Sequence, residues 1–225
     1  MSQALLTRLL VCSCFTTIVL ETHLLAQAPN KQQVEKEKWI SLFDGKTLQP
    51  WEPAKGIDYE RAGKIEVRDQ CLVLGTGSPA TGVRRKAEFP KVNYEIALEA
   101  RRTDGGAFFC GMSFPVGDGA LTLIMGGWGG WVVGLSCIDD MLAIDNETCQ
   151  VIEFKNDRWY KIRVKVTKTN VQVWVDGQQK IDFETKDRKL AVTAEMEPCL
   201  PLGIATWYTA GQLRNLRYRE LQPSP

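Results

Sequence analysis

Two stretches of this chain alternate apolar and polar residues so regularly that they restrict the folds open to it. In Tyr94 to Arg102, Tyr94, Ile96, Leu98 and Ala100 alternate with Glu95, Ala97, Glu99 and Arg101. In Trp159 to Thr167, Tyr160, Ile162, Val164 and Val166 alternate with Lys161, Arg163 and Lys165. A period of two places each set on one face of an extended chain, so both stretches read as half-buried strands. Val171 to Val175 and Lys180 to Phe183 flank Asp176-Gly177, a dipeptide suited to the positive φ angles of a tight hairpin. Lys64 to Arg68 and Cys71 to Leu74 flank Asp69-Gln70 in the same way, and Leu202 to Trp207 and Leu213 to Leu221 supply the last strands. No window of ten or more residues carries a 3.6-residue apolar period, and there is no internal repeat. About a dozen short strands joined by glycine and aspartate turns predict an all-β fold, a jelly-roll sandwich of two antiparallel sheets.

The 225 residues are 44% hydrophobic and 24% charged, enough for one filled core. Residues 1–28 have the make-up of an export signal: Arg8 gives the positive start, Leu9 to Leu20 the apolar run, and Ala26-Gln27-Ala28 the small-residue cleavage pattern. Lipidation at Cys14 is the alternative. The apolar run is too short to span a bilayer comfortably. Residues 29–38 read as a polar tether and 39–225 as a single domain, placed by export in the periplasm, on the cell surface or outside the cell. Cleavage removes one of 28 bases (Arg8) and one of 27 acids (Glu21), so the balance stays at +1. Such a charge gives no reason to expect a nucleic-acid or anionic-membrane partner. The one histidine, His23, leaves as well, which excludes histidine triads and histidine-ligated zinc. Five cysteines remain: Cys71, Cys110, Cys137, Cys149 and Cys199. Export permits disulfides, and Cys137 with Cys149 is the expected pair because the two bracket an acidic loop.

That loop belongs to the stretch where a ligand is expected, Gly126 to Thr148. Glycines flank Trp128 and Trp131, so a flat ligand face can reach an indole; Asp139, Asp140, Asp145, Asn146 and Glu147 can hold hydroxyls. Trp207 follows an apolar strand and is a third indole for the same face. Indoles cover the C–H faces of a pyranose while carboxylates and amides bond its hydroxyls, so carbohydrate is the expected partner. Asp139, Asp145 and Asn146 also offer oxygens to a divalent cation such as calcium, although no Asp-x-Asp-x-Asp-Gly loop is present. An aspartate or tryptophan here also has an ordinary use, in turns or core.

Four motifs in order resemble one family: Leu42-Phe43-Asp44-Gly45-Lys46-Thr47-Leu48 with Trp51, Asp157-Arg158-Trp159-Tyr160, Val173-Trp174-Val175-Asp176-Gly177, and Leu213-Arg214-Asn215-Leu216-Arg217. The chain from Trp39 to Leu221 is similar to the 3-keto-disaccharide hydrolase domain. This resemblance implies a concanavalin-like jelly roll acting outside the cytoplasm on glycosides oxidised at the third carbon. A ketone there acidifies the C2 proton, and elimination across C1 and C2 followed by hydration cleaves the glycosidic bond. The chain departs from the family at polar positions. Asp104-Gly105-Gly106-Ala107-Phe108-Phe109-Cys110 replaces an Asn-Ser-Gly segment leading to arginine. Gly134, Ser136 and Asp139 stand where the family has Glu, Gln and Asp. The family's late histidine segment falls near Ala205-Thr206-Trp207, which has no histidine. Two readings follow. In a hydrolase or lyase, Asp139 is the base, Asp104 or Glu147 assists, and Trp128, Trp131 and Trp207 with Asp145 and Asn146 bind substrate. In a glycan-binding module the indoles remain and the chemistry is gone. Catalysis requires at least two of Asp104, Asp139, Asp145 and Glu147 in one pocket, whereas binding requires exposed indoles with dispersed polar partners. Fully buried Trp128 and Trp131 would instead favour a structural protein.

Overall fold

The structure is a computed structural model and describes residues 38–222; the expected export signal, and the tether up to residue 37, lie outside the described residues. Within them the chain forms β1 (Ile40–Ser41), β2 (Trp51–Pro53), β3 (Ile65–Arg68), β4 (Cys71–Leu74), β5 (Ala80–Arg85), β6 (Tyr94–Gly105), β7 (Cys110–Val116), β8 (Gly119–Gly126), β9 (Val132–Ser136), β10 (Gln150–Val151), β11 (Tyr160–Val166), β12 (Asn170–Val175), β13 (Gln178–Glu184), β14 (Leu202–Trp207) and β15 (Thr209–Glu220). They make two antiparallel sheets. One has the order β13-β12-β11-β6-β15-β4-β3, with β1 also paired to β15; the other runs β10-β9-β8-β7-β14-β5-β2. This is the expected all-β jelly-roll sandwich. No described helix is long and apolar enough to cross a membrane.

Alternation sets the core. The first sheet turns Tyr94, Ile96, Leu98, Ala100, Ile162, Val164, Val166, Val171, Val173 and Leu213 inward, and the second turns Met112, Phe114, Leu121, Leu123, Met125, Val133, Leu135, Leu202 and Ile204 to meet them. Each fully buried aliphatic side chain stabilises the sandwich by about 1.5–3 kcal/mol. The two sheets differ on their outer faces. The first presents charged residues to water, while the second is covered by the 3₁₀ turns Ile57–Tyr59 and Ala194–Cys199 and by the loop after β9. Cover at such close range demands small residues beneath it. A Cβ added at Gly203 would lie 2.3 Å from the Cys199 carbonyl oxygen, and one at Gly134 would lie 2.8 Å from that of Ala143.

Candidate functional site

The cover does not close over the middle of the second sheet. There a cavity of about 390 Å³ opens, floored by Thr122 and Ile124 of β8 and Ser136 of β9. Trp207 at the end of β14, Phe108 in the β6–β7 turn and Trp128 in the β8–β9 turn provide aromatic walls. Leu142 and the 3₁₀ residues Glu195 and Met196 form the far side, beside Thr193. Among the described residues Glu195 is the one charged residue that lines it.

Local geometry sets each indole. Trp128 has φ 45 and ψ 66, a left-handed conformation rare for a bulky residue, and it stands among Gly126, Gly129 and Gly130, which also have positive φ. Gly130 must lack a side chain for a further reason: a Cβ would lie 2.6 Å from Nη1 of Arg102. Arg102 is buried, donates from Nε to Asn156 Oδ1 (2.6 Å) and from Nη2 to the Phe154 carbonyl (2.7 Å), and reaches the Ala107 carbonyl with Nη1 (3.5 Å). One guanidinium therefore ties the turn that carries Phe108 to the Phe154–Asn156 segment and lies against Gly130 of the turn that carries Trp128. Burial lowers its pKa from the usual arginine value. Trp207 stacks on Phe108 with ring centroids 6.0 Å apart, and its backbone N–H donates to the Phe108 carbonyl. On the far side, the Tyr59 hydroxyl donates to the Glu195 carbonyl at 2.9 Å and fixes the 3₁₀ turn.

Trp128 and Trp207 thus share one cavity. Trp131 is 48% exposed but lies outside it, and Trp128 is 40% exposed, so neither is a core residue. The acidic candidates fall elsewhere. Asp139 accepts from Arg188 Nε (2.6 Å) and the Lys189 backbone N–H (2.8 Å), while Glu147 accepts from Arg188 Nη1 (2.5 Å). Asp139 and Glu147 do come together, as the two arms of a surface ion-pair cluster outside the cavity. The Lys189 N–H and the Arg188 guanidinium hold Asp139 below the usual carboxylate range, and Arg188 does the same for Glu147. Carboxylates held this way are poor proton acceptors at neutral pH. Asp104, at the end of β6, accepts from Thr76 Oγ1 at 3.3 Å, and Asp145 is exposed.

Asn146, expected to touch a ligand, is instead a buried hub. Its Nδ2 donates to the carbonyls of Leu135 and Leu142, and its Oδ1 accepts from the Thr148 N–H and hydroxyl. The oxygens considered for calcium are therefore committed at two of three positions, Asp139 to Arg188 and Lys189, and Asn146 to Thr148. Among the described residues no three His, Cys, Asp or Glu side chains group as metal ligands. The disulfide expectation is corrected as well: Cys137 and Cys149 are both free thiols.

The three segments at which the chain departs from the family pattern meet at this cavity. Ala107 and Phe108 come from the first, Ser136 from the second and Trp207 from the third. Gly134 lies under Ala143. Sequence reasoning missed Phe108, Leu142, Met196 and above all Glu195, which sits in a short charged stretch between strands and belongs to no period or motif.

Comparison with known proteins agrees with this architecture. A transglycosylase, Crh5, superposes with a TM-score of 0.55 at 12% identity, over 84% of this chain and 86% of that one. A Bacillus subtilis protein with a galectin-like fold gives 0.53 at 10% identity, over 79% and 92%. Domain 4 of an extracellular arabinanase from Geobacillus stearothermophilus, solved with arabinotriose, gives 0.50 at 14% identity, over 78% and 84%. At these identities the likeness is one of fold. Curated proteins give no match. The family model of the 3-keto-alpha-glucoside-1,2-lyase-like domain matches residues 38–219, so the chain belongs to that family.

Proposed function

We propose that this carbohydrate-active domain binds a glycoside in the cavity between Trp128 and Trp207, and that binding without bond cleavage is what the site does. One observation carries the reading: two accessible indoles share a cavity from which Asp104, Asp139, Asp145 and Glu147 are all absent. The indoles cover apolar sugar faces, and Ser136, Thr122, Thr193 and Glu195 supply hydroxyl partners. Hydrolysis by paired carboxylates needs two acidic groups across the scissile bond. The lining provides one. Neighbours of the same fold that are named for glycan chemistry, and the family itself, support a sugar ligand. With the export expected from residues 1–28, the ligand is met outside the cytoplasm.

Glu195 favours a second reading, elimination on a 3-keto glycoside. Its carboxylate takes the acidified C2 proton, the C2–H electron pair forms the C1–C2 double bond, the C1–O bond breaks, and the departing oxygen takes up a proton. One base suffices for that step. The test mixes the protein with 3-keto disaccharides and their unoxidised parents, with and without chelator, following tryptophan fluorescence and product masses. Saturable fluorescence change without products, lost in Trp207→Ala, supports binding alone. Products from keto sugars that vanish in Glu195→Gln establish elimination and refute the first reading.

A further inference from the structure

The opposite face of the molecule carries a second feature, independent of the cavity. On the three central strands of the first sheet, every outward position follows from the pairing register. Lys165, Glu95 and Arg219 form one row across β11, β6 and β15; Arg163, Ala97 and Arg217 form the next; Lys161, Glu99 and Arg214 the third; Arg101 and Gln212 the fourth. These rows hold seven cations against two carboxylates; counting the exposed Asp104, opposite Ala210 at the end of β6, the excess is four on a chain whose whole formal charge is +1.

The two carboxylates do not neutralise the face. Glu95, 2% exposed, bonds Arg163 and Arg219 (2.8 and 2.7 Å), and Glu99 bonds Arg214 (2.7 Å). Arg101 is bonded to the neutral Gln212, and Lys161, Lys165 and Arg217 have no carboxylate partner among the described residues. At the edges the guanidinium groups lie over indoles. Arg163 is 3.6 Å from the Trp174 ring centroid, Arg214 and Arg101 are 4.1 and 4.7 Å from that of Trp159, and Arg217 and Arg219 are 5.1 and 5.0 Å from that of Trp39. Stacking restricts the arginine forks before any ligand arrives, so less freedom is lost on binding.

We propose that this face binds an acidic polysaccharide, a chain of uronate or sulfated sugars lying across the β11–β6–β15 rows. The charge excess calls for a polyanion, and the surroundings discriminate among polyanions. Single-stranded nucleic acid is gripped by bases stacking on free aromatic faces, but these indoles are already covered by guanidinium groups. A membrane surface calls for apolar side chains to insert, and none of the exposed large apolar residues occupies these outward positions. Carboxylates or sulfates repeating along a glycan need neither, only cations in rows roughly 5 Å apart across strands and about 7 Å along them.

The test uses the full chain and polygalacturonate at about 50 mM salt, with neutral dextran, an oligothymidylate and phosphatidylglycerol vesicles as parallel arms. The comparison protein is Lys161→Gln/Lys165→Gln/Arg217→Gln, which removes three exposed or half-exposed charges and no ion pair. The wild type should bind polygalacturonate and not dextran, weaken steeply with added salt, and bind at least about tenfold more tightly than the triple variant. Both should unfold within about 3 °C of one another, the margin set by the exposed Arg217–Trp39 contact, and give the same fluorescence response in the cavity. No retention of the wild type, equal retention of the variant, or equal or tighter binding to oligothymidylate or vesicles would overturn the proposal. Loss of the cavity response alone bears on the sugar site and leaves this face untouched.

Discussion

Asn146→Ala offers the sharpest separation between a residue that binds ligand and one that builds the place where ligand binds. The side chain is 8% exposed and its carboxamide is fully engaged. Truncation leaves the Leu135 carbonyl, the Thr148 N–H and the Thr148 hydroxyl without their partner. At about 1–3 kcal/mol for each buried polar group left unsatisfied, and with water reaching some of them through the loop, the cost is about 3–5 kcal/mol. For a domain of this size that lowers the midpoint of thermal unfolding by about 10 °C. Its neighbour is the control: Asp145 is exposed and its side chain makes no hydrogen bond or ion pair among the described residues, so Asp145→Ala should stay within about 0.5 kcal/mol. Urea titration followed by tryptophan fluorescence measures both. Sugar affinity in Asn146→Ala should fall along with stability, because the same loop holds Leu142 against the cavity. A variant that loses sugar binding while losing less than about 1 kcal/mol of stability would make Asn146 a ligand contact and refute the hub account.

Trp128→Ala and Trp207→Ala should each weaken sugar binding by about tenfold or more, whereas Trp131→Ala should leave it unchanged, as read by titration calorimetry. Reduction should not change the mass of the folded domain by the two hydrogens of a Cys137–Cys149 bridge. In thiol labelling, Cys110 and Cys199, buried and with pKa values pushed up to about 12 and about 11, should react only after unfolding. The Arg188 cluster makes stability depend on pH in a fixed direction. The pKa values of Asp139 and Glu147 are depressed in the folded state, so their contribution is complete above the ordinary carboxylate range and disappears as pH falls through the lowered values. The melting-temperature gap between wild type and Arg188→Gln should therefore be constant near neutrality and close below about pH 4.

The fold was legible wherever one face of a strand meets water. The alternation in β6 and β11 and the Asp176-Gly177 hairpin are written in single residues, and the structure extends β6 only to Gly105 and trims β11 to Tyr160–Val166. What alternation cannot show is a strand covered on both sides. Every residue of β7 is buried, and β8 is buried from Leu121 onward, so apolar and polar no longer take turns and neither strand announces itself. The register shift between Ala210 and Gly211 hides the early part of β15, because it breaks the period at the start of the strand.

Of the residues expected at the candidate site, Trp128 and Trp207 line the cavity whereas Trp131 and the acids do not, and the reason lies in the difference between composition and direction. A run such as Asp139 to Glu147 is rich in ligand-binding groups, but the loop turns those side chains toward Arg188, Lys189 and its own backbone. The cover left a quieter trace, an alternation of large and small residues within the fully buried strands. Cys110, Met112 and Phe114 point inward while Gly111 and Ser113 point out; Val133 and Leu135 point inward while Gly134 and Ser136 point out; Leu202 and Ile204 do the same against Gly203 and Ala205. Three strands thinned on one side let the cover settle close upon them, and the hollow opens beside it over Thr122, Ile124 and Ser136. A floor so bare holds no charge of its own, so any proton transfer there depends on what the cover lowers into it, and among the lining residues the cover contributes only Glu195.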